Sequence, residues 1–477
     1  MRLVVVGDTV LDRDVDGSVH RVSPDAPALV LDEESAVDRP GGAGLAALLA
    51  ARCGFPVALV TAIADDARGA RLAELLTAAG VELHPVPLPG ATPEKIRLRA
   101  RGQVLLRLDR GGGTRPPGDV PDTALALFDA PAAVLVSDYG RGMTGHPRLR
   151  EALAATPAPI VWDPHPRGAA PVPGVRLVTP NEGEVRTLSG DAGGGARVAA
   201  ATRAGNTLRR QWRAGAVAVT MGGRGAVLCH AGPTPLVVPA PSVAGGDSCG
   251  AGDRFAASAA IALARGALPS EAVQSAVAEA TEYVIAGGVT AARTDRTSGA
   301  PGASTTAGAA GVDTAVGVDA AARVVAEVRA GNGTIVATGG CFDLLHAGHV
   351  ATLQAARRLG DCLVVCLNSD GSVRGLKGAD RPLVPQTDRA RLLAALGCVD
   401  AVVVFDEPTP EATLAWLRPD LWVKGGDYAD GGPDLPEAEL VRRWGGQTVV
   451  VPYLDGRSTS GMISAARGAS HSTGGTA

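Results

Sequence analysis

The sequence predicts an α/β protein built from two modules joined by a linker. Short β-type runs alternate with helical stretches in both modules, which is typical of parallel sheets with crossover helices. The composition breaks once, at 294–318, where Gly, Ala, Ser and Thr replace the apolar periodicity. With 477 residues, 46% of them hydrophobic, the chain is long and apolar enough for two cores.

That break sets the predicted domain boundaries. Residues 1–296 form the first domain, 297–318 the linker and 319–467 the second domain. Residues 468–477 are small and polar, so we predict a disordered tail there.

The first module contains six β-type runs and a separate hairpin. The runs are LVVVG, VALVTAI, AVLVSD, PIVWD, RLVTPN and AVAVTMGG, and helical stretches such as ARGARLAELLTAAG lie between them. Residues 95–108, KIRLRARGQVLLRL, instead alternate polar and apolar around Arg101-Gly102. This alternation predicts a β-hairpin that stands off the main sheet as a lid.

The second module is smaller and follows the same rhythm. A helix is predicted near 319–329, and the strands are predicted at TIVAT, CLVVCL, AVVVF, LWVKG and QTVVV.

Composition excludes several classes of partner and site. The formal net charge is −4 and no Lys/Arg run is present, so nucleic acid is not an expected partner. No apolar run approaches the roughly 18 residues that cross a bilayer, so we expect no membrane association and a cytoplasmic location. The seven cysteines are scattered, which suggests neither a disulfide framework nor a four-ligand zinc site.

Lysine is scarce in this chain. Only three of the 45 basic residues are lysines, Lys95, Lys377 and Lys424, and the rest are arginines. Such a bias suggests that these three positions need a compact ammonium group.

The strongest chemical signal in the first module is GGDSCGAGDRFAASAAIALA, residues 245–264. Gly250, Ala251 and Gly252 open a helix, whose backbone N–H groups and dipole can receive the charge of a transferring phosphoryl group. Asp253 follows in the first turn, where a carboxylate can accept the proton of an attacking hydroxyl.

Three further segments complete a family pattern. PGGAG at 40–44 predicts a flexible loop before a helix, TPNEGE at 179–184 follows a strand, and TMGGRGA at 220–226 ends a strand in glycines. In order and spacing, these segments and the GAGD motif resemble the ribokinase-like sugar kinases over residues 1 to about 296.

That resemblance implies roles for individual residues. It implies that Asp253 is the catalytic base, that Gly250, Ala251 and Gly252 form the anion hole, and that ATP is used with Mg²⁺, which Glu184 serves. The residues implied to contact the kinase nucleotide are Asn181, Glu184, Thr220, Gly222 and Gly225. Those implied to face the sugar are Asp8, Asp12, Gly41, Gly42, Lys95, Arg97 and Asp138. Kinase domains of this type are often dimers, so a homodimer through this domain is expected.

In the second module, CFDLLHAGHV at 341–350 places His346 and His349 between a β-type run and an amphipathic segment. The pair could bind a metal, although no third ligand lies at metal spacing, or could be incidental at a helix start. We favour contact with a triphosphate, helped by the N-terminus of a helix from Gly348, because strand-to-helix junctions bind nucleotide phosphates.

The surrounding motifs resemble the cytidylyltransferase-like nucleotidyltransferases across about 332–467. They are GGCFDLLHAGH, NSDGSVRGLKG, RPLVP, VKGGDY and STSGMI. The resemblance implies that Lys377 and Lys424 neutralise phosphates and that Ser458, Thr459 and Ser460 cap the triphosphate. The other residues implied to lie at the nucleotide are Gly340, Phe342, Asn368, Asp370 and Asp427.

The order of the two modules is itself a resemblance. It is similar to the family of bifunctional enzymes of ADP-heptose synthesis, as are the stretches GDTVLDRDVDGSVHRVSPDAPALV, EKIRLRARGQVLLRLD, SDYGRG and LKGADRPLVP. In that family the first module phosphorylates the anomeric hydroxyl of a heptose 7-phosphate. A separate phosphatase removes the 7-phosphate, and the second module adenylylates the 1-phosphate.

Three positions depart from the family pattern. Leu45 stands where the sugar loop usually has Asn, His165 where Lys is usual, and Cys249 where Thr is usual. Two alternatives therefore stay open. The kinase and nucleotidyltransferase modules could act on another sugar phosphate or nucleotide. Alternatively, the first module could be a non-catalytic platform for an active transferase.

Overall fold

The computed structural model describes residues 2–101, 103–111, 116–232, 234–241, 247–291, 315–426 and 437–452. The chain divides into two compact units, the first comprising Met1–Gly190, Ala204–Gly223 and Pro241–Thr294. The second comprises Asp191–Arg203, Arg224–Ala240 and Asp295–Ala477.

A parallel seven-stranded sheet forms the core of the first unit. The predicted runs become strands because they are continuous and apolar, as strands covered on both faces must be. In spatial order the strands are Ala216–Thr220, Leu177–Val178, Ile160–Asp163, Ala133–Ser137, Leu3–Gly7, Val57–Ile63 and Val81–Pro87. All six predicted strands of this module are confirmed.

The predicted hairpin is also confirmed, as part of a second sheet of four strands. In spatial order these strands are Leu29–Gly42, Thr9–Val22, Glu94–Ala100 and Gln103–Arg110. The prediction of a loop at PGGAG is wrong, because Gly41 and Gly42 pair as the last two residues of a strand and the next helix starts at Ala43. We call this four-stranded sheet the lid.

Helices alternate with these strands along the first part of the chain. They are Ala43–Arg52, Ala67–Ala78, Asp122–Leu125, Pro147–Ala155, Glu182–Ser189, Arg197–Gln211, Ala251–Ala264, Pro269–Ile285 and Gly288–Ala291. Short 3-10 turns lie at Ala126–Phe128, Met143–Gly145 and Gly222–Arg224.

The second unit contains a parallel six-stranded sheet. Its strands, in spatial order, are Ala315–Val316, Ala401–Phe405, Cys362–Asn368, Ile335–Gly340, Leu421–Gly426 and Gln447–Pro452. Its helices are Val318–Ala330, Ala347–Arg357, Asp370–Lys377, Gln386–Ala394, Glu411–Leu417 and Glu437–Arg442. An antiparallel hairpin, Ala226–Cys229 and Leu236–Val238, belongs to the same unit. All five strands predicted after the linker are confirmed.

Two boundary predictions need correction. The predicted linker ends too late, because Ala315–Val316 already pairs with the strand Ala401–Phe405 and a helix starts at Val318. The helix after the histidine motif starts at Ala347, one residue earlier than Gly348, because His346 is its N-cap. The predicted tail lies outside the described residues. None of the described helices has the length and apolar character needed to cross a membrane.

Candidate active sites

Asp253 lies in the first turn of the helix Ala251–Ala264, and only 7% of its surface is exposed. Gly250 caps this helix with φ +79°, and a Cβ there would lie 2.7 Å from the Tyr283 hydroxyl oxygen. Glycine is therefore required by both backbone conformation and space. The helix start and its buried carboxylate form the arrangement that the GAGD motif predicted.

The three residues of the predicted anion hole differ in what their amides contact. The Ala251 N–H donates to the carbonyl oxygen of Ser248 at 3.1 Å, so this amide is already engaged. Gly252 is exposed and faces open space, and as a first-turn residue it has no acceptor within its own helix. Its N–H is therefore better placed than that of Ala251 to receive an anion.

Asp253 has a partner that the sequence did not identify. The Tyr139 hydroxyl lies 2.9 Å and 3.0 Å from the two carboxylate oxygens of Asp253. Burial raises the pKa of Asp253 to about 7, and the bond from Tyr139 opposes that rise. A carboxylate with a pKa near neutrality is well suited to act as a general base.

Asp8 and Asp138 leave the carboxyl ends of two adjacent strands and hold the loop that carries Tyr139. Asp8 accepts bonds from the backbone N–H groups of Tyr139, Arg141 and Met143 at 2.9–3.2 Å. Asp138 accepts from the Gly140 N–H and the Thr144 hydroxyl, and burial raises its pKa to about 6. The structure thus gives both residues a role in ordering the loop, while their contact with sugar stays a prediction.

The lid carries charged side chains from neighbouring strands. Arg97 Nη1 lies 3.3 Å from Asp12 Oδ1, and Arg39 also pairs with Asp12, at 3.8 Å. Lys95 Nζ lies 5.5 Å from the centroid of the Tyr139 ring, and burial lowers the pKa of this lysine. The predicted sugar residues Asp12, Lys95 and Arg97 therefore occupy neighbouring register positions.

Gly41 and Gly42 allow close packing inside the lid and against the residue Asp8 that precedes it. A Cβ on Gly41 would lie 2.7 Å from Asp12 Oδ2. Gly42 has φ +62°, and its Cβ would lie 2.4 Å from the carbonyl oxygen of Asp8. Any larger residue at either position would displace the strand from the site.

Asn181 and Glu184 form a capping box at the start of the helix Glu182–Ser189. The Asn181 side chain accepts from the backbone N–H groups of Gly183 and Glu184, and Glu184 Oε2 accepts from the Asn181 N–H at 2.8 Å. The spacing that predicted a ligand site is thus also a helix-start signal. Burial raises the pKa of Glu184, and burial together with the charges of Glu184 and Asp253 raises that of Asp163.

The predicted glycine-rich nucleotide segment follows the strand Ala216–Thr220. Thr220 forms a β-bridge with Asn181, and Gly222 begins the short 3-10 turn. Gly225 has φ +95°, and a Cβ there would lie 1.9 Å from the carbonyl oxygen of Val238, so hairpin packing alone requires this glycine. Nucleotide contact at these residues stays a prediction.

The three residues that depart from the family pattern, Leu45, His165 and Cys249, each contact groups of the first unit. Leu45 is buried beneath the helix start, and a Cβ on Gly250 would lie 2.9 Å from its Cδ2. His165 Nδ1 accepts from the Arg167 N–H, and burial lowers its pKa. Cys249 is half-buried, and its carbonyl accepts from the Tyr283 hydroxyl. Leu45 therefore packs against the Asp253 helix in place of an amide.

The second unit has a pocket at the point where strand order reverses. From the strand Ile335–Gly340 the chain continues to one side through two strands, and then crosses to Leu421–Gly426 on the other side. Ligands bind at the carboxyl ends of strands at such switch points. The pocket is lined by Thr338, Gly339, Gly340, Cys341, Phe342, Asp343, His349, Thr352, Lys377, Lys424 and Gly425.

The rings of His346 and His349 stack at the N-terminus of the helix Ala347–Arg357. Their ring centroids are 3.8 Å apart, and His346 Nδ1 accepts from the backbone N–H of His349 as the N-cap. Burial and the neighbouring His346 lower the pKa of His349 to about 4. His349 is therefore neutral at pH 7 and offers a hydrogen bond, while positive charge is left to the lysines and the helix N-terminus.

The lysines reach the pocket from two elements. Lys424 lies on a strand with Nζ 4.9 Å from the Trp422 ring centroid and 3.2 Å from Glu437 Oε1. Lys377 ends the helix Asp370–Lys377 and is exposed. Gly340 and Phe342 line the same pocket, and their contact with a nucleotide stays a prediction. Asp427, Ser458, Thr459 and Ser460 lie outside the described residues.

Asn368 and Asp370 are engaged within the protein. The Asn368 amide donates to the Ser372 hydroxyl, and Asp370 Oδ1 accepts from the Arg389 guanidinium at 2.7 Å. Arg389 is 1% exposed and also donates to the carbonyl oxygens of Cys341, Asn368 and Val384. The structure thus joins three loops around one buried cation, and nucleotide contact by Asn368 and Asp370 stays a prediction.

A second buried carboxylate holds the RPLVP segment. Asp343 is 2% exposed and accepts from the backbone N–H groups of Leu383 and Val384 at 2.6 Å and 3.1 Å. It also pairs with the Arg381 guanidinium, and these bonds hold the pKa of Asp343 below its usual value despite burial. The sequence motif therefore positions a loop beside the pocket.

Arg389→Met is expected to destabilise the second domain by about 3 kcal/mol, because it leaves the half-buried Asp370 carboxylate and three backbone carbonyl oxygens without their donor. Calorimetry of the full chain should show a lower midpoint temperature for the unfolding transition of the second domain. Arg391→Met is the matched control, since its side chain lies on the same helix and is 84% exposed. Equal effects of the two substitutions would contradict the assigned role.

Family models match both halves of the chain. A model of the pfkB family carbohydrate kinases matches residues 1–103 and 150–295, and a cytidylyltransferase-like model matches residues 337–450. Among solved structures, ribokinase of Thermotoga maritima is 21% identical with a TM-score of 0.46, covering 59% of this chain and 92% of that chain. Site geometry and family models together define the class, a sugar kinase joined to a nucleotidyltransferase.

Full-length relatives narrow the class to one family. The bifunctional protein HldE of Streptomyces coelicolor is 55% identical over 98% of this chain and 97% of its own length. The bifunctional protein HldE of Halorhodospira halophila is 39% identical over 98% and 97%, respectively. The chain belongs to the family of bifunctional HldE proteins.

Proposed function

We propose that the chain catalyses two steps of ADP-heptose synthesis in the cytoplasm. The first domain transfers the γ-phosphoryl group of ATP to O1 of D-glycero-D-manno-heptose 7-phosphate. The second domain transfers an adenylyl group from ATP to heptose 1-phosphate and releases pyrophosphate. The observation that carries the proposal is the buried Asp253 at a helix N-terminus, in a chain similar from end to end to bifunctional relatives.

The kinase step uses the Asp253 carboxylate and the N-terminus of its helix together. The O1 hydroxyl donates its proton to Asp253 while its oxygen forms a bond to the γ-phosphorus, and the bond from that phosphorus to the bridging oxygen of ADP breaks. The Gly252 N–H and the helix dipole stabilise the charge on the transferring group.

Mg²⁺ fits the acidic side of this site. Burial, and after it the charges of Glu184 and Asp253, raise the pKa of Asp163, so a divalent cation beside Asp163 and Glu184 would relieve their repulsion. Glu184 would hold the ion with bound ATP, and the ion would neutralise phosphate charge.

The distal phosphate of the sugar has a cationic surface available. Lys95 and Arg97 lie on the lid strand Glu94–Ala100, and Lys95 stacks over the ring that contacts Asp253. We assign these two side chains to the 7-phosphate, because a compact ammonium and a guanidinium both bind phosphate well.

The transfer step needs no general base. An oxygen of the ionised sugar 1-phosphate forms a bond to the α-phosphorus of ATP, and the bond to the β-phosphate oxygen breaks. His346, His349, Lys377 and Lys424 surround the phosphates and stabilise the departing pyrophosphate.

A substrate panel tests this assignment. Initial rates with Mg²⁺-ATP and heptose 7-phosphate, hexose 6-phosphates or pentose 5-phosphates give kcat/KM for the kinase, and heptose 1-phosphate with ATP, CTP or GTP gives it for the transferase. The proposal predicts the highest values for heptose and ATP. Because Leu45 replaces the usual amide of the sugar loop, a preference for another sugar is the specific alternative outcome.

We further propose that the protein is a homodimer through the outer lid strand, Gln103–Arg110. All eight of its residues are exposed, including Val104, Leu106 and Leu108. It is an edge strand of the lid, so two copies can pack the faces of their lids together about a two-fold axis and bury these side chains.

Leu106→Glu is expected to convert the dimer to a monomer, because it places two charges in the buried interface. Analytical ultracentrifugation of the full chain measures the mass. Leu392→Glu is the control, since Leu392 is 49% exposed and lies in the second domain. A monomeric parent protein, or a dimeric Leu106→Glu variant, would contradict the interface.

A further inference from the structure

Tyr139 occupies an unusual position beside the catalytic carboxylate. Its hydroxyl lies almost equally far from both oxygens of Asp253, at 2.9 Å and 3.0 Å. Burial and the charge of Asp253 raise the pKa of Tyr139 well above its ordinary value. The phenol therefore keeps its proton and acts as the donor in this contact.

Several elements fix the ring in this position. Asp8 binds the backbone N–H groups of Tyr139 and Arg141, which sets the path of the loop. A Cβ on Gly42 would lie 3.3 Å from Tyr139 Cδ2, so the absence of a side chain there leaves room for the ring. Lys95 covers the ring at 5.5 Å. These contacts fix the backbone and the ring of Tyr139, and therefore the position of its hydroxyl.

The groups around Asp253 make its hydrogen bond from Tyr139 important for its ionisation. Burial favours the neutral acid form of Asp253, and the nearby charge of Asp12 acts in the same direction. Lys95 and the Tyr139 hydroxyl favour the carboxylate. The charge of Asp253 also raises the pKa values of Asp163 and Tyr283, so both groups interact with it. Among the described residues, Tyr139 is the only one of these groups that donates a hydrogen bond to the Asp253 carboxylate.

We propose that Tyr139 is a positioning residue whose hydroxyl, shared between both carboxylate oxygens, stabilises the ionised form of Asp253 and fixes the orientation of its carboxylate. This inference rests on the proposed kinase function. During the reaction the O1 proton moves to Asp253 while Tyr139 retains its own, so the tyrosine orients the base and takes no proton.

Tyr139→Phe tests the inference through the pH profile of kinase kcat/KM in the full chain. Losing a hydrogen bond to a buried charge should move the acid limb to higher pH, with a loss of about 10- to 100-fold at pH 6 that narrows towards pH 9. Tyr283→Phe is the matched control, because it removes a hydroxyl from the Cys249 carbonyl and should not move the acid limb. An unmoved limb, or an equal loss at every pH, would overturn the proposal.

A substrate-free measurement separates this inference from the proposed function. Infrared titration of the parent protein, with the Asp253→Asn spectrum subtracted, reports protonation of Asp253 directly. The midpoint should rise in Tyr139→Phe, and an unchanged midpoint would refute the role of Tyr139. Absence of sugar phosphorylation by the parent protein would instead refute the kinase assignment, and leave the titration to decide on Tyr139.

Discussion

Asp253→Asn is expected to lower kcat for sugar phosphorylation about 1,000-fold, because it removes the carboxylate that lies at the helix start and would accept the O1 proton. The substitution preserves shape and replaces a buried carboxylate by a neutral amide, so the fold should persist. Nucleotidyl transfer from supplied heptose 1-phosphate should be unchanged. Both rates are measured on the same preparation by coupled ADP and pyrophosphate assays.

The second activity serves as an internal control for folding. Asp122→Asn provides a matched substitution, since its side chain is 88% exposed and lies outside the site. If Asp253→Asn retained full kinase activity, proton transfer would have to use another group. If neither the parent protein nor the variant phosphorylated any sugar, the first domain would be a non-catalytic platform.

His346→Ala is expected to reduce pyrophosphate release by roughly 100- to 1,000-fold, since it removes an imidazole beside the phosphates. Kinase activity should be unaffected, because the two reactions use different domains. The measurement is pyrophosphate release from ATP with heptose 1-phosphate, compared with ADP release in the kinase reaction.

His346 is also the N-cap of the helix Ala347–Arg357, so Ala alone cannot separate chemistry from helix stability. Replacing a cap by Ala costs about 1 kcal/mol, whereas Asn is a good cap. His346→Asn should therefore restore thermal stability and leave the transferase inactive. Recovery of activity in His346→Asn would show that the residue acts only as a cap.

The strands were the most predictable part of the fold. Runs such as LVVVG and CLVVCL are buried along their whole length, and continuous apolar runs of that kind have few other stable placements. The strands Thr9–Val22 and Leu29–Gly42 escaped prediction because they are half-polar and partly exposed. Their pairing depends on a neighbouring strand that local sequence does not specify.

The site was predictable where the chemistry lies in one segment. Gly250 to Asp253 are consecutive, so helix geometry alone brings the proposed anion hole and the proposed base together. Tyr139 was missed because it lies 114 positions from Asp253 in sequence, and only the sheet brings them into contact. Arg389 was missed because an arginine in an amphipathic helix is normally exposed, and its burial depends on acceptors from three loops.

Predicted polar contacts failed to distinguish ligand binding from internal structure. Asp8, Asn181 and Asp370 were predicted to contact ligands, and each accepts hydrogen bonds from backbone or guanidinium donors of the protein itself. The same residue types suit both purposes, because helix and loop amides attract carboxylates as ligands do. Ligand contact at these residues must be tested by measurement.

The most direct test of the central claim, one chain with two sugar-phosphate activities, is phosphorus NMR of the full-length protein. The protein is mixed with Mg²⁺, ATP and D-glycero-manno-heptose 7-phosphate, and a 7-phosphatase is added afterwards. The account predicts a 1,7-bisphosphate first and a nucleoside-diphosphate heptose after the phosphatase. Failure of the bisphosphate to form, with supplied heptose 1-phosphate still nucleotidylated, would contradict it.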